Sequence, residues 1–205
     1  RHYPYGELLT HVLGYVGRLD ENDLNRVERE GRGGDYRGTT HIGKIGIERF
    51  YEKELHGTSG LEKVETNAQG RTLKVLERED PVHGADLILS LDVHVQQAAW
   101  DALGERPGAV VALDPNDGSV IAMVSKPAYD PNLFVHGISS ADYAAILNAP
   151  GRPLFNRCLL GGYEPGSTIK PFLGLGGLEL GVINDADEVF SGGEYYLPNV
   201  SRPYR

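Results

Sequence analysis

The sequence is poor in features that staple a chain together or anchor it. It has one cysteine, Cys158, among 205 residues, so no internal disulfide can form and a thiolate metal cluster is excluded. A single cysteine fits the cytosol and equally an envelope domain that is stable without bridges, so the compartment stays open. Long apolar runs are missing too. Ala109–Leu113 and Val120–Val124 reach five residues each, whereas a membrane-crossing helix needs about 20. Arg1-His2-Tyr3-Pro4 has no signal-peptide pattern. Positive charge is in deficit, with 20 Lys and Arg against 29 Asp and Glu and a formal net charge of −9. That balance argues against a nucleic-acid sleeve or an anionic-membrane patch, both of which need clustered cations. The 7 histidines are scattered, and none sits at zinc-ligand spacing from another. Gly-x-Ser-x-Gly is absent, and with it an α/β-hydrolase elbow.

What is present describes a globular chain. Apolar residues make up 40% and charged residues 24%, outside the disordered range. The length allows one large or two small domains, and a chain of this size buries about 70% of its unfolded surface. Gly is abundant at 27 residues, which predicts many turns and close backbone approaches. The chain has no initiator Met and stops abruptly at Arg202-Pro203-Tyr204-Arg205, so it is expected to be an internal piece of something longer.

Residues 1–19, broken by Pro4, Gly6, Gly14 and Gly17, read as extended and loop-like. Asp20–Glu30 predicts a short surface helix closed by Gly31. Ile47, Phe50, Tyr51 and Leu55 predict one helix over 44–55, ended by Gly57. Two strands should flank Asn67-Ala68-Gln69-Gly70, and residues 80–84 read as the domain boundary. A strand is expected at Leu87–Leu91, then a helix capped by Asp92 and stopped by Gly104. Asp114-Pro115-Asn116-Asp117-Gly118 signals a hairpin between Ala109–Leu113 and Ser119–Val124. Helices should follow at Ala141–Leu147 and from about Ser167 to Gly181.

Most local motifs carry little chemistry. Gly38-Thr39-Thr40-His41-Ile42-Gly43-Lys44-Ile45 nearly spells a phosphate-binding loop. It fails at Ile45, where a hydroxyl must hold magnesium, and reads better as a glycine-rich helix entry. Asn199-Val200-Ser201 is a glycosylation sequon of a length common by chance. Gly162-Tyr163-Glu164-Pro165-Gly166-Ser167-Thr168-Ile169-Lys170-Pro171 is different. Ser167 and Lys170 are three apart, so on a helix both side chains share one face. A serine hydroxyl becomes a nucleophile when a neighbouring neutral amine takes its proton, and an ordinary lysine pKa of about 10.4 must fall for that to happen. Pro171 would clash in an α-helix with the carbonyl of Ser167. Ser167 is therefore expected at the helix's first residue or cap, with free N–H groups around its oxygen. The bare Ser-x-x-Lys tetrad is equally a helix cap beside a solvated lysine; its surroundings decide.

Those surroundings resemble the class B penicillin-binding proteins, the transpeptidases that cross-link bacterial peptidoglycan. Tyr3-Pro4-Tyr5-Gly6, Thr10–Gly17, Gly43–Tyr51 and Leu55-His56-Gly57 are similar to segments of that family's non-catalytic pedestal. Leu89-Ser90-Leu91-Asp92 with Gln96-Gln97, then Ala109–Gly118, Pro127 and Tyr129–Asn132, resemble the start of its transpeptidase domain. Asn156-Arg157 and Pro165–Pro171 complete a set in the family's order. Leu133-Phe134-Val135 and Gly137-Ile138-Ser139 look most like the elongation-specific branch rather than the division-specific one.

The resemblance implies an α+β chain: an elongated pedestal (dimerisation-type) segment over 1–80, then the N-terminal part of an α/β serine transpeptidase (β-lactamase-like) domain over 81–205. It implies Ser167 as the acylated nucleophile, Lys170 as the general base, and neither cofactor nor metal. Peptidoglycan stem peptides, β-lactam antibiotics, a membrane glycosyltransferase and elongation scaffold proteins are the implied partners, with no nucleic acid. The implied location is the bacterial inner membrane, single-pass, with this part in the periplasm. The family also needs Ser-x-Asn and Lys-Thr/Ser-Gly, and neither occurs in the 205 residues. This chain alone is therefore expected not to complete transpeptidation. The rival reading is a pedestal scaffold that docks and activates the glycosyltransferase. A β-lactam-sensing or hydrolysing relative is disfavoured by the pedestal.

Overall fold

A computed structural model describes residues 1–203; Tyr204 and Arg205, the expected end of the transpeptidase segment, lie outside the described residues. The chain forms two compact units, Arg1–Gly161 and a second starting at Gly162.

The first unit does not begin as loop. After a 3-10 turn at Gly6–Leu8 come α1 (Thr10–Leu13) and β1 (Val16–Arg18). Gly14 and Gly46 make this possible. Both have positive φ, and a Cβ on Gly46 would lie 2.6 Å from the Gly14 nitrogen, so the two backbones touch where only glycine fits. Next is α2 (Glu21–Arg29), begun by a capping box between Asp20 and Asp23 and followed by Gly31 at positive φ. β1 then pairs antiparallel with β2 (His41–Gly43). Tyr3, Val16 and Val135 form one small core with Leu13 and Tyr15 against it; Val27, Tyr36 and Ile42 form another.

The single helix expected over 44–55 is two short ones, α3 (Gly46–Phe50) and α4 (Glu52–His56), broken at Tyr51. Its inward face is not the apolar one. Glu48 and Glu52, four apart and so on one side, are the buried residues, while Phe50 is 79% exposed. Each carboxylate is buried because donors meet it. Tyr3 Oη donates to Glu48 at 3.1 Å, and Arg1 lies 3.2 Å from the same carboxylate. Tyr36 Oη donates to Glu52 at 3.0 Å and the Gly43 N–H does so at 2.7 Å. Burial, reinforced by the adjacent carboxylates, holds both tyrosine hydroxyls far above the ordinary phenol range, so they stay donors. Ile47, Phe50 and Tyr51 instead line an open apolar groove of about 400 Å³ with Leu89, Met123 and Leu159.

β3 (Leu61–Thr66) and β4 (Thr72–Glu79) form the expected hairpin ribbon, exposed along nearly its whole length. Leu87–Leu91 is extended but not a strand. It touches the hairpin strand beyond it through the Ser90 hydroxyl, which donates to Val120 O at 2.7 Å, and the chain then bonds at Asp92 N–H to Ile121 O. α5 (Val93–Leu103) is capped by the Asp92 side chain and ends at Gly104, as the sequence predicts. It packs on the antiparallel hairpin of β5 (Gly108–Leu113) and β6 (Val120–Lys126). α6 (Asn132–Val135), α7 (Ser140–Leu147, capped by Ser139) and α8 (Arg157–Leu160, capped by Asn156) complete the unit.

In the second unit a 3-10 turn at Gly166–Ile169 leads into α9 (Lys170–Glu179), which ends before Gly181 at positive φ. Among the described residues no helix is long and apolar enough to cross a membrane.

Candidate active site

The segment singled out by sequence folds as a turn plus a helix start. Gly166 has φ +55°, a left-handed conformation that favours glycine and turns the chain after Pro165. Ser167 then sits inside the 3-10 turn rather than at the first residue or cap of the α-helix. Pro171 explains the difference. Its ring excludes an α-helical turn reaching back to the Ser167 carbonyl, so α9 starts at Lys170 with Pro171 in its first positions, where no N–H is missed. The Lys170 N–H donates to Ser167 O instead, closing an i to i+3 bond.

Ser167 lies inside the turn and Lys170 directly follows it, at the start of α9. A 3-10 turn has about 3.0 residues per turn, so positions three apart fall toward the same edge, as Ser167 and Lys170 do in spacing. Both are exposed, and neither side chain has a hydrogen-bond partner among the described residues. Thr168 turns away to bond the Pro165 carbonyl through its hydroxyl. A hydroxyl beside an amine can lose its proton to that amine as it attacks a carbonyl only when the amine is in its neutral form.

α8, just before this segment, is fixed at its start by residues to which sequence reasoning gave no role. Asn156 Oδ1 accepts from the Cys158 and Leu159 N–H groups at 3.1 and 3.3 Å, and its Nδ2 donates to the His11 carbonyl at 2.9 Å. Ser125 Oγ accepts from the Arg157 N–H at 2.9 Å. The Cys158 thiol is half-buried, donates to Val124 O at 3.0 Å, and is pushed up in pKa by burial. Among the described residues no group of three or more His, Cys, Asp or Glu side chains is placed to hold a metal ion.

Comparison with known proteins finds relatives along the whole chain. Residues 1–89 match the model of the penicillin-binding protein dimerisation domain, and 108–204 match the penicillin-binding protein transpeptidase domain. The whole chain is 46% identical to the peptidoglycan D,D-transpeptidase MrdA of Escherichia coli (strain K12), covering 32% of that protein. It spans about a third of the length of the curated relatives it matches. Over its full length it is similar to Pseudomonas aeruginosa PBP2 in complex with WCK 5153, with 48% identity, a TM-score of 0.81 and 41% of that chain covered. It is similar at the same TM-score of 0.81, with 31% identity and 37% covered, to PBP2 from Helicobacter pylori in a complex with MreC. With both domain models in their expected order and this likeness along its whole length, the chain belongs to the class B penicillin-binding proteins, as their dimerisation domain followed by the start of their transpeptidase domain.

Proposed function

We propose that the whole protein is a peptidoglycan D,D-transpeptidase of cell-wall elongation, with Ser167 as nucleophile and Lys170 as general base. What supports this reading is the Ser-x-x-Lys spacing across the 3-10 turn at Gly166–Ile169, with both residues exposed. Ser167 Oγ attacks the penultimate D-alanine carbonyl of a stem peptide while Lys170, in its neutral form, takes the hydroxyl proton. The carbon–nitrogen bond to the terminal D-alanine breaks, and that amine leaves carrying a proton. An amine of a neighbouring strand then attacks the ester and regenerates the serine. β-Lactams, which mimic the scissile amide, acylate the same oxygen and are released slowly.

The 1–80 pedestal and 81–205 catalytic division belongs to this reading, as do a single-pass inner-membrane anchor and a periplasmic site. The pedestal's partners are a membrane glycosyltransferase and elongation scaffold proteins; the Helicobacter pylori relative's complex with MreC supports the latter. In a full-length polypeptide carrying this segment, Ser167→Ala is expected to abolish cross-linking of stem peptides. Lys170→Ala is expected to slow it by about 10²–10⁴-fold, the usual contribution of a positioned base. Cross-linking that survives Ser167→Ala refutes the assignment. Partner binding should survive both changes and fail on changes around Gly14–Gly17 or Ile47–Tyr51.

A further inference from the structure

Within the second unit, the turn that carries Ser167 is closed by the residue that follows it. Thr168 gives two hydrogen bonds to one acceptor: its N–H donates to Pro165 O at 3.3 Å, and its hydroxyl donates to the same oxygen over a shorter distance. A carbonyl oxygen has two lone pairs, so one residue fills the Pro165 acceptor. Gly166, at φ +55°, lies inside this loop of hydrogen bonds. Glycine is the residue whose backbone least resists a change of conformation, so the closure depends on the bonds across it. Of those two bonds the backbone one is long, which leaves the hydroxyl as the closer tie. Ser167 sits between Gly166 and Thr168, and the next turn is closed by the Lys170 N–H on Ser167 O. A bond from a Ser or Thr hydroxyl to a nearby backbone carbonyl is a known local device. What is particular here is its place, one residue after the candidate nucleophile and two before the candidate base.

We propose that Thr168 is a positioning residue for acyl transfer: its hydroxyl, held on the Pro165 carbonyl, keeps the turn closed and so fixes where Ser167 stands relative to Lys170 at the start of α9. Without the hydroxyl, one long N–H bond across a glycine is left to close the turn. Ser167 then spends part of its time out of the orientation for attack, and the rate falls because reaction needs the groups already in place. The proposal rests on reading Ser167 as the nucleophile and Lys170 as its base.

Thr168→Val keeps the shape of the side chain and removes the donor, whereas Thr168→Ser keeps the donor and removes the methyl group. In a full-length polypeptide carrying this segment, stopped-flow acylation by a fluorescent penicillin separates drug binding from the rate at saturating drug. The bond is exposed, so its loss is set at the scale of one ordinary hydrogen bond. Thr168→Val is expected to acylate about fivefold more slowly at saturating drug, with the dissociation constant of the drug unchanged. Thr168→Ser is expected to acylate at the wild-type rate, a rescue that general loosening of the fold would not give. Thr168→Ala carries the comparison if the Val variant does not fold. A variant without the hydroxyl that acylates at the wild-type rate overturns the proposal. So does a Ser variant as slow as Val, which would assign the effect to the methyl group. Weakened drug binding at an unchanged rate also overturns it, because the hydroxyl would then be a contact to the drug. Acylation that persists in Ser167→Ala overturns the underlying reading instead, and the two failures are distinct.

Discussion

Replacing Gln96 by leucine measures how much of the first unit depends on one side chain. Gln96 is fully buried. Besides its bond to Leu8 O, its Nε2 donates to Met123 O at 2.9 Å and its Oε1 accepts from the Met123 N–H at 2.8 Å. The amide therefore acts as an extra rung on β6 and also holds the N-terminal 3-10 turn. Leucine fills nearly the same volume, so little cavity opens and the loss is that of hydrogen bonding. Three bonds at a net ~1 kcal/mol each give about 3 kcal/mol, with more if the backbone groups stay dry. For a unit of this size that lowers Tm by about 6–12 °C, at 2–4 °C per kcal/mol. Gln96→Glu adds a pH signature. Two carbonyls and burial would raise the carboxyl pKa above its unfolded value of about 4.3. The variant is then most stable, relative to wild type, below that value and loses ground as pH rises through the folded pKa. Thermal unfolding followed by circular dichroism at pH 7 and pH 4 checks both. Gln96→Leu melting within 1 °C of wild type would refute the reasoning, as would Gln96→Glu being equally weakened at both pH values.

Glu52→Ala leaves the Tyr36 hydroxyl and the Gly43 N–H without their shared acceptor. At 1–3 kcal/mol per orphaned buried group it should cost about 2–6 kcal/mol in urea unfolding, and Tyr36→Phe distinctly less because Gly43 keeps its partner. Burial holds the His11 imidazole pKa below its ordinary value. The unfolded chain therefore takes up a proton near pH 6.5 before the folded one does, and stability falls as pH drops below that point. Denaturant midpoints at pH 7.5, 6.0 and 5.0 should show that decline, and a flatter one in His11→Asn.

Elements whose signals are local were legible in the sequence. Asp20 and Asp92 as caps, Gly31, Gly104 and Gly181 as stops, and the turn from Asp114 to Gly118 all specify their structure through near neighbours. What was illegible depended on distant partners. Ile47, Phe50 and Tyr51 look like a core face, but the tyrosine hydroxyls of Tyr3 and Tyr36 and the Gly43 N–H pull Glu48 and Glu52 inward instead. Leu87–Leu91 has strand composition but makes no ladder, only a side-chain bond from Ser90 before the Asp92 contact with β6. α1 is invisible by periodicity because its place depends on the Gly14–Gly46 approach. At the candidate site the Ser167–Lys170 spacing and the effect of Pro171 were legible, though the proline is accommodated by a 3-10 turn rather than a cap. Gln96 and Asn156 sat within recognisable motifs, yet their bonds reach residues 88 and 145 positions away, beyond any local pattern.

The central claim is that Ser167 forms the acyl-enzyme. The most direct measurement is the intact mass of a full-length polypeptide carrying this segment, before and after incubation with a β-lactam, followed by peptide mapping. The account predicts a gain of one drug mass, located on the peptide containing Ser167 and absent from Ser167→Ala. A folded polypeptide that gains no mass, or carries the adduct on another residue, would contradict it.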